Sequence, residues 1–209
     1  GRIQERAQQL KLAALGRLTA SIAHEIRNPL SAIGHAGELL REERRGDMQD
    51  RLLRILSDNV ARLNRIVADI LELGRRDRMQ AEHLELGRFC TQFLEGFENV
   101  QGVVPGVIVL EAADDSGICF DRSHLDQVLW NLLSNAVRHA KGAPGSARLR
   151  ACTGAGKGLV ELHVIDDGGG VPEAAKAQIF EPFFTTHHLG TGLGLFIARE
   201  LCEANGATL

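Results

Sequence analysis

Between Met48 and Arg76 the apolar residues follow a strict repeat: Leu53, Val60 and Val67 are seven apart, and so are Leu56, Leu63 and Ile70. The two series are offset by three, the a/d spacing of a helix that buries a stripe along its whole length. From about Arg2 to Leu40 a second set recurs at helical spacing: Leu15, Leu18, Ile22, Ile26, Leu30, Ile33 and Leu40. A polar break at Arg41–Asp50, with Gly46 inside it, separates the two helices. Amphipathic helices of this length cannot bury their stripes as a lone hairpin. A symmetric dimer that makes a four-helix bundle is the simplest solution, and a hairpin packed on the rest of the chain is the alternative.

The remainder mixes elements. Gly74–Glu82 is charged and turn-prone and reads as a linker. Phe89, Phe93 and Phe97 are four apart and mark one helix face. Val107–Leu110, Ile118–Phe120, Arg148–Cys152 and Leu159–Ile165 read as strands, the last two around a Gly154–Gly158 turn. Asp121–Ala140 reads as a long helix capped by Asp121 or Ser123, and a last helix runs from near Gly192 to a left-handed cap at Asn205–Gly206. The expected class is α+β with two domains: residues 1–77 helical, and residues 78–209 one sheet with helices on one face.

Bulk properties exclude several functions. The net charge is -3, with basic and acidic residues interleaved, which argues against a nucleic-acid binder held by phosphate contacts. Cys90, Cys119, Cys152 and Cys202 lie far apart without a C-x-x-C pair. They are expected to be buried or half-buried apolar residues in a reducing compartment, not a disulfide framework or zinc knuckle. No apolar run approaches a membrane span and no signal peptide opens the chain. The helical, polar start implies continuation from something upstream.

Four segments carry chemistry. In Ser21–Leu30, the imidazole of His24 is a nucleophile toward phosphorus when neutral, and it must lose a proton as the N–P bond forms. The adjacent Glu25 can accept that proton, and Asn28, one turn on, can hold a water. Taken alone, a lone helical histidine is more often structural. In Asn131–His139, Asn131 and Asn135 are one turn apart, so their amides share a face. They offer neutral oxygen to Mg²⁺, and Arg138 offers a guanidinium to phosphate, although helix surface with a local hydrogen bond is the plainer reading. In Val164–Val171 a strand ends on Asp166, which can accept from an exocyclic amine, and glycines follow; an ordinary acidic turn is the alternative. In Gly190–Leu195, glycines lead into a helix start, where free N–H groups favour phosphate, yet neither a P-loop nor the dinucleotide fingerprint is present. Phe180–Thr186 between them reads as a hinge or lid anchor, or simply a buried loop.

In order and spacing, these segments resemble the sensor histidine kinases of two-component systems from end to end. They correspond to a histidine box (His24 to Leu30), an asparagine box (Asn131 to His139), a first glycine box (Asp166 to Gly170), an F box (Phe180 to Phe184) and a second glycine box (Gly190 to Leu195). The short Thr185–Leu189 stretch, Ile179–Thr186 and Arg199–Asn205 are similar to the nitrogen-regulation and type IV pilus sensor kinases. The resemblance implies a homodimeric helical phosphotransfer domain followed by an α/β-sandwich ATP-binding domain of the gyrase, heat-shock and mismatch-repair type. It implies autophosphorylation of His24 with Glu25 as proton acceptor, and phosphotransfer to the receiver domain of an NtrC-type response regulator. Asn28 matches the position that places water for phosphatase action. ATP and Mg²⁺ are the implied ligands. Asn135 would hold the metal, supported by Asn131, and Asp166 would take the adenine amine. Arg138, His139, Gly168, Gly170, Phe180, Thr191, Gly192, Leu193 and Gly194 would complete the nucleotide site. It also implies the cytoplasmic portion of an inner-membrane sensor. Three departures stand out: His139 replaces an aromatic ring, Gly169 replaces a proline and so loosens its loop, and the final strand hairpin after Leu209 is missing. A kinase-silent phosphatase or scaffold and an ATP-driven clamp are the rival readings.

Overall fold

The computed structural model of the protein describes residues 21–40, 46–75, 79–113, 117–154, 158–187 and 190–209. The expected helix before residue 21, the middle of the 41–50 break, the centre of the 74–82 linker, the tip of the 154–158 turn and His188 lie outside the described residues. The chain forms two compact units. One comprises the described residues through Leu71 together with Glu181–Leu193; the other comprises Glu72–Phe180 and Gly194–Leu209.

The first unit is built on two helices, α1 (residues 21–40) and α2 (Gly46–Arg75). The 30 residues of α2 make a rod about 45 Å long. Pro29, Ala36, Leu52 and Ile66 are buried. Pro29 lies inside α1, where its missing N–H leaves one ladder bond unmade. Between the helices, Arg62 Nη2 donates to Glu25 Oε2 at 2.8 Å. The two heptad series divide: Leu56, Leu63 and Ile70 are half-buried, whereas Leu53, Val60 and Val67 remain 51%, 47% and 48% exposed. One stripe therefore packs within the chain and the other is left unpacked, as is Leu30 on α1.

The second unit starts with β1 (Ala81–Glu85) and α3 (Leu86–Gln101), followed by β2 (Ile108–Ala113) and β3 (Gly117–Asp121). Then come α4 (Arg122–His139), β4 (Ala147–Thr153), β5 (Val160–Asp166), a single turn α5 (Glu173–Lys176) and α6 (Gly194–Ala204). The expected single sheet is two among the described residues. β1 pairs antiparallel with β3, while β2 runs parallel to β4 and β4 antiparallel to β5. The stretch read wholly as linker contains the start of β1. Its sequence Ala-Glu-His-Leu-Glu offers one buried residue, Leu84, so the strand carries no apolar alternation to read.

Strand periodicity sets the core. Ala147, Leu149 and Ala151 of β4 are buried, and the intervening Arg148, Arg150 and Cys152 lie on the other face. The inner face packs with α3 and α4 through Phe93, Phe97, Leu129 and Leu133. Phe89, Phe93 and Phe97 stack in sequence at 6.4 and 5.7 Å, and Phe97 meets Trp130 edge-on at 5.0 Å. Burying a ring of this size stabilises by roughly 1.5–3 kcal/mol, so this ladder anchors α4. Cys90 and Cys202 are buried, and burial pushes both thiols up to about 11. Cys152 is half-buried, but Cys119 is exposed, contrary to the expectation for all four. It lies on β3, a two-stranded ribbon whose outer face nothing covers among the described residues.

Asp121 joins three elements. Its carboxylate caps α4 by accepting from Ser123 N at 2.9 Å and His124 N at 3.1 Å. It also accepts from Ser123 Oγ at 2.7 Å and, just before β1, from Gln80 N at 2.6 Å. Its own N–H donates to Asn205 Oδ1 at the end of α6, at 2.8 Å. Helix α6 starts at Gly194, just after Gly192, which is left-handed with φ 71° and cannot enter a right-handed turn. Gly206, φ 72°, ends it as expected.

Candidate functional site

Several of the residues singled out above fall in the first unit. His24 is exposed on α1, and Ser21, His24, Glu25 and Phe183 line a cavity of about 390 Å³. Phe183 holds φ 67°, left-handed for a residue with a side chain, which costs about 1–2 kcal/mol. Its N–H donates to Gly192 O at 2.9 Å. A Cβ on Gly192 would stand 2.4 Å from the Phe183 carbonyl carbon. The F box and the second glycine box are therefore locked together by one residue that must be glycine. Thr191, expected beside the nucleotide, donates its hydroxyl to Asp69 Oδ2 of α2 at 2.7 Å and accepts from Leu193 N at 3.3 Å. Leu193 is fully buried, and Asn28 is exposed one turn after His24.

The second unit holds the others. Asn131 and Asn135 lie on α4, both half-buried. Asn131 Oδ1 accepts from Gln127 at 3.5 Å and faces Gly194, while its Nδ2 is buried with no hydrogen-bond partner among the described residues. Asn135 Oδ1 has a long contact of 3.4 Å from Arg138 Nη1. Asp166 ends β5, exposed, with Oδ1 accepting from Gly168 N at 2.8 Å. A Cβ on Gly168 would lie 2.5 Å from the His139 carbonyl oxygen, so this glycine is required by the end of α4 whatever else it does. The exposed His139 is thereby fixed next to the loop. Gly170 is left-handed at φ 73°. Phe180 lies 5.5 Å beneath the Arg199 guanidinium.

Three participants escaped the sequence reading. Arg62 clamps Glu25 and Asp69 holds Thr191, but both lie on α2, whose apolar repeat says nothing of its polar partners. Phe183 falls in the F box read as a hinge or lid anchor, but its left-handed backbone has no sequence signal.

Residues 14–78 match the His Kinase A (phospho-acceptor) domain, and residues 120–209 match the histidine kinase-, DNA gyrase B-, and HSP90-like ATPase. The sensor protein kinase PilS of Pseudomonas aeruginosa is 42% identical over 210 residues, covering 99% of this chain and 40% of that protein. The crystal structure of histidine kinase ThkA in complex with response regulator protein TrrA superposes with TM-score 0.73 at 29% identity, covering 97% of this chain and 59% of ThkA. Full-length ShkA in complex with AMPPNP gives TM-score 0.55 at 26% identity, covering 91% of this chain and 41% of ShkA. The chain thus spans less than two thirds of each relative's length. No helix among the described residues is long and apolar enough to cross a membrane. With a phospho-acceptor helical hairpin followed by an α/β ATPase domain, the chain belongs to the sensor histidine kinases of two-component systems.

Proposed function

We propose that this chain moves the γ-phosphoryl group of ATP onto His24 and passes it to an aspartate of a response-regulator receiver domain. The observation that carries this reading is the exposed His24 on the rim of a cavity it shares with Glu25, whose carboxylate is held by Arg62. A nucleophile needs access, and a proton acceptor needs a fixed position; the pair supplies both. Catalysis is then mainly alignment of a ring nitrogen with the terminal phosphorus, together with charge neutralisation.

The residues of the second unit fit a magnesium nucleotide. Asn131 keeps a buried amide with an unused donor, and the Asn135 oxygen is only weakly engaged. In this reading Asn135 holds Mg²⁺, which neutralises phosphate charge, and Arg138 takes phosphate oxygens. Asp166 accepts from the exocyclic amine of the base, beside the glycine-lined turn. Gly168, Gly170, Gly194, His139 and Phe180 complete the site in this unit, and the resemblance assigns Thr191, Gly192 and Leu193 to nucleotide binding as well. The AMPPNP complex of ShkA supports nucleotide binding, and the ThkA–TrrA complex supports a receiver partner. Asn28, exposed one turn from His24, would place a water for dephosphorylating the same regulator. Likeness to PilS suggests an NtrC-type regulator and type IV pilus control, from the cytoplasmic side of an inner-membrane sensor. We place the functional boundary near residue 77. The exposed Leu53, Val60 and Val67 stripe is assigned to a second copy of the chain, making a four-helix bundle.

Radiolabel from γ-labelled ATP tests the reaction. Wild type should acquire acid-labile, base-stable phosphate, His24→Gln none, and Asn135→Ala far less. ATP hydrolysis without a phosphoprotein, or labelling that survives His24→Gln, refutes the assignment.

A further inference from the structure

The outer face of the three-stranded sheet carries a cluster that the kinase reaction does not use. Cys152, Glu161 and His163 place a sulfur, a carboxylate oxygen and a ring nitrogen within 4.8 Å of one another. We propose that these three side chains bind one Zn²⁺-class ion, a borderline-soft divalent cation, on the β4–β5 hairpin.

The arrangement follows from strand geometry. Cys152 and Glu161 are direct partners across the antiparallel pair, so their Cβ atoms start about 5 Å apart on one face. His163 lies two residues beyond Glu161 on the same strand and so shares that face, diagonal to Cys152. His163 Nε2 and Glu161 Oε2 are already 3.1 Å apart. Tetrahedral zinc with bonds of about 2.0–2.3 Å to sulfur, nitrogen and oxygen separates its ligand atoms by about 3.4–3.7 Å. Small side-chain rotations of the three residues therefore reach that geometry with the backbone ladder intact.

Two neighbours favour a cation here. The guanidiniums of Arg148 and Arg150, which precede Cys152 on this face, are both engaged by Glu111 on β2. Arg150, the direct cross-strand partner of His163, is thereby held toward Glu111 on β2 and its charge is paired there. A Cβ on Gly154 would stand 2.9 Å from Glu161 Oε1, so the glycine leaves room for the carboxylate against the turn. A thiolate with an imidazole selects zinc-like ions over Mg²⁺ or Ca²⁺, so this site is chemically separate from a nucleotide's magnesium. On binding, the metal–sulfur bond replaces the S–H bond, the thiol proton leaves to solvent, and a water completes the fourth position. The bound ion would tie β4 to the strand that ends in Asp166.

Cobalt is the probe. Co²⁺ added to the full chain should give a thiolate-to-cobalt charge-transfer band that saturates at one ion per chain. Zn²⁺ should abolish it, and excess Mg²⁺ should not. Cys152→Ser should remove the band, whereas Cys119→Ser should keep it. His163→Asn and Glu161→Gln should each weaken binding by at least the roughly 10- to 100-fold typical of lost supporting partners, with circular dichroism unchanged. No band, a band that survives Cys152→Ser, or affinity indifferent to both His163 and Glu161 overturns the proposal.

Discussion

Replacing Asp121 by alanine should destabilise the second unit by about 2–3 kcal/mol at neutral pH. Two routes lead to that magnitude. The substitution removes the α4 cap, including its bond from the buried His124 N–H, worth about 1–2 kcal/mol, and leaves the Gln80 N–H without its acceptor, about 1 kcal/mol. Independently, burial raises the carboxyl group's pKa, but hydrogen bonds from Gln80, Ser123 and His124 outweigh it and hold it at about 2, against 3.8 for an ordinary aspartate. That difference corresponds to about 2.5 kcal/mol favouring the folded state. Because the folded-state value is the lower one, the stabilisation is complete above about pH 4 and is lost as pH falls through about 2. At pH 3 it should be about 1 kcal/mol smaller than at pH 7. Urea unfolding followed by Trp130 fluorescence measures this well, since the chain has one tryptophan and its ring packs on Phe97. Asp121→Asn, which keeps one acceptor oxygen, should lose about half as much. A loss below about 0.5 kcal/mol for Asp121→Ala, or a wild-type-to-variant gap equal at pH 7 and pH 3, would falsify the hub assigned to Asp121.

Gly192→Ala should weaken binding of a fluorescent ATP analogue at least about tenfold, because the left-handed backbone alone costs about 1–2 kcal/mol before the clash with Phe183. Gly169→Ala is the matched control: nothing lies within 4 Å of its added methyl, so titration should give wild-type affinity. Val60→Glu with Val67→Glu should turn a dimer into a monomer in light scattering, since burying a carboxylate costs several kcal/mol and raises Kd by more than about a hundredfold. A dimer that survives both changes removes the stripe from the interface. His24→Gln should keep wild-type urea stability while losing all phosphate incorporation, because the side chain is exposed.

The helices were legible wherever burial is one-sided and long. The a/d series marked α2, the four-residue phenylalanine spacing marked α3, and Asp121 marked the start of α4, because each pattern is imposed by packing or capping along a single element. β1 was not legible, since four of its five residues are exposed and its register is set by β3. The boxes were found by order and spacing, yet what the residues do locally was only partly foreseen. The resemblance gives Gly168 to the nucleotide site, and its first requirement is room for the His139 carbonyl. Thr191 was read as a nucleotide contact, and its hydroxyl is held by Asp69.

These two residues point to a general asymmetry in reading such sites. A motif records that a residue type is needed at a position; it does not record which neighbour needs it. Gly192 and Phe183 show the consequence. The pair closes a loop by one hydrogen bond and one forbidden Cβ, and it puts Phe183 on the cavity lined by His24 and Glu25. A substitution at Gly192 therefore acts through the backbone of Phe183 as well as through any nucleotide. The two effects separate experimentally, because Phe183→Gly relieves the left-handed strain at about 1–2 kcal/mol while leaving Gly192 intact. If Phe183→Gly partly restores nucleotide affinity to Gly192→Ala, the strain is shared between them. If it lowers affinity further, the ring itself is what the loop exists to place.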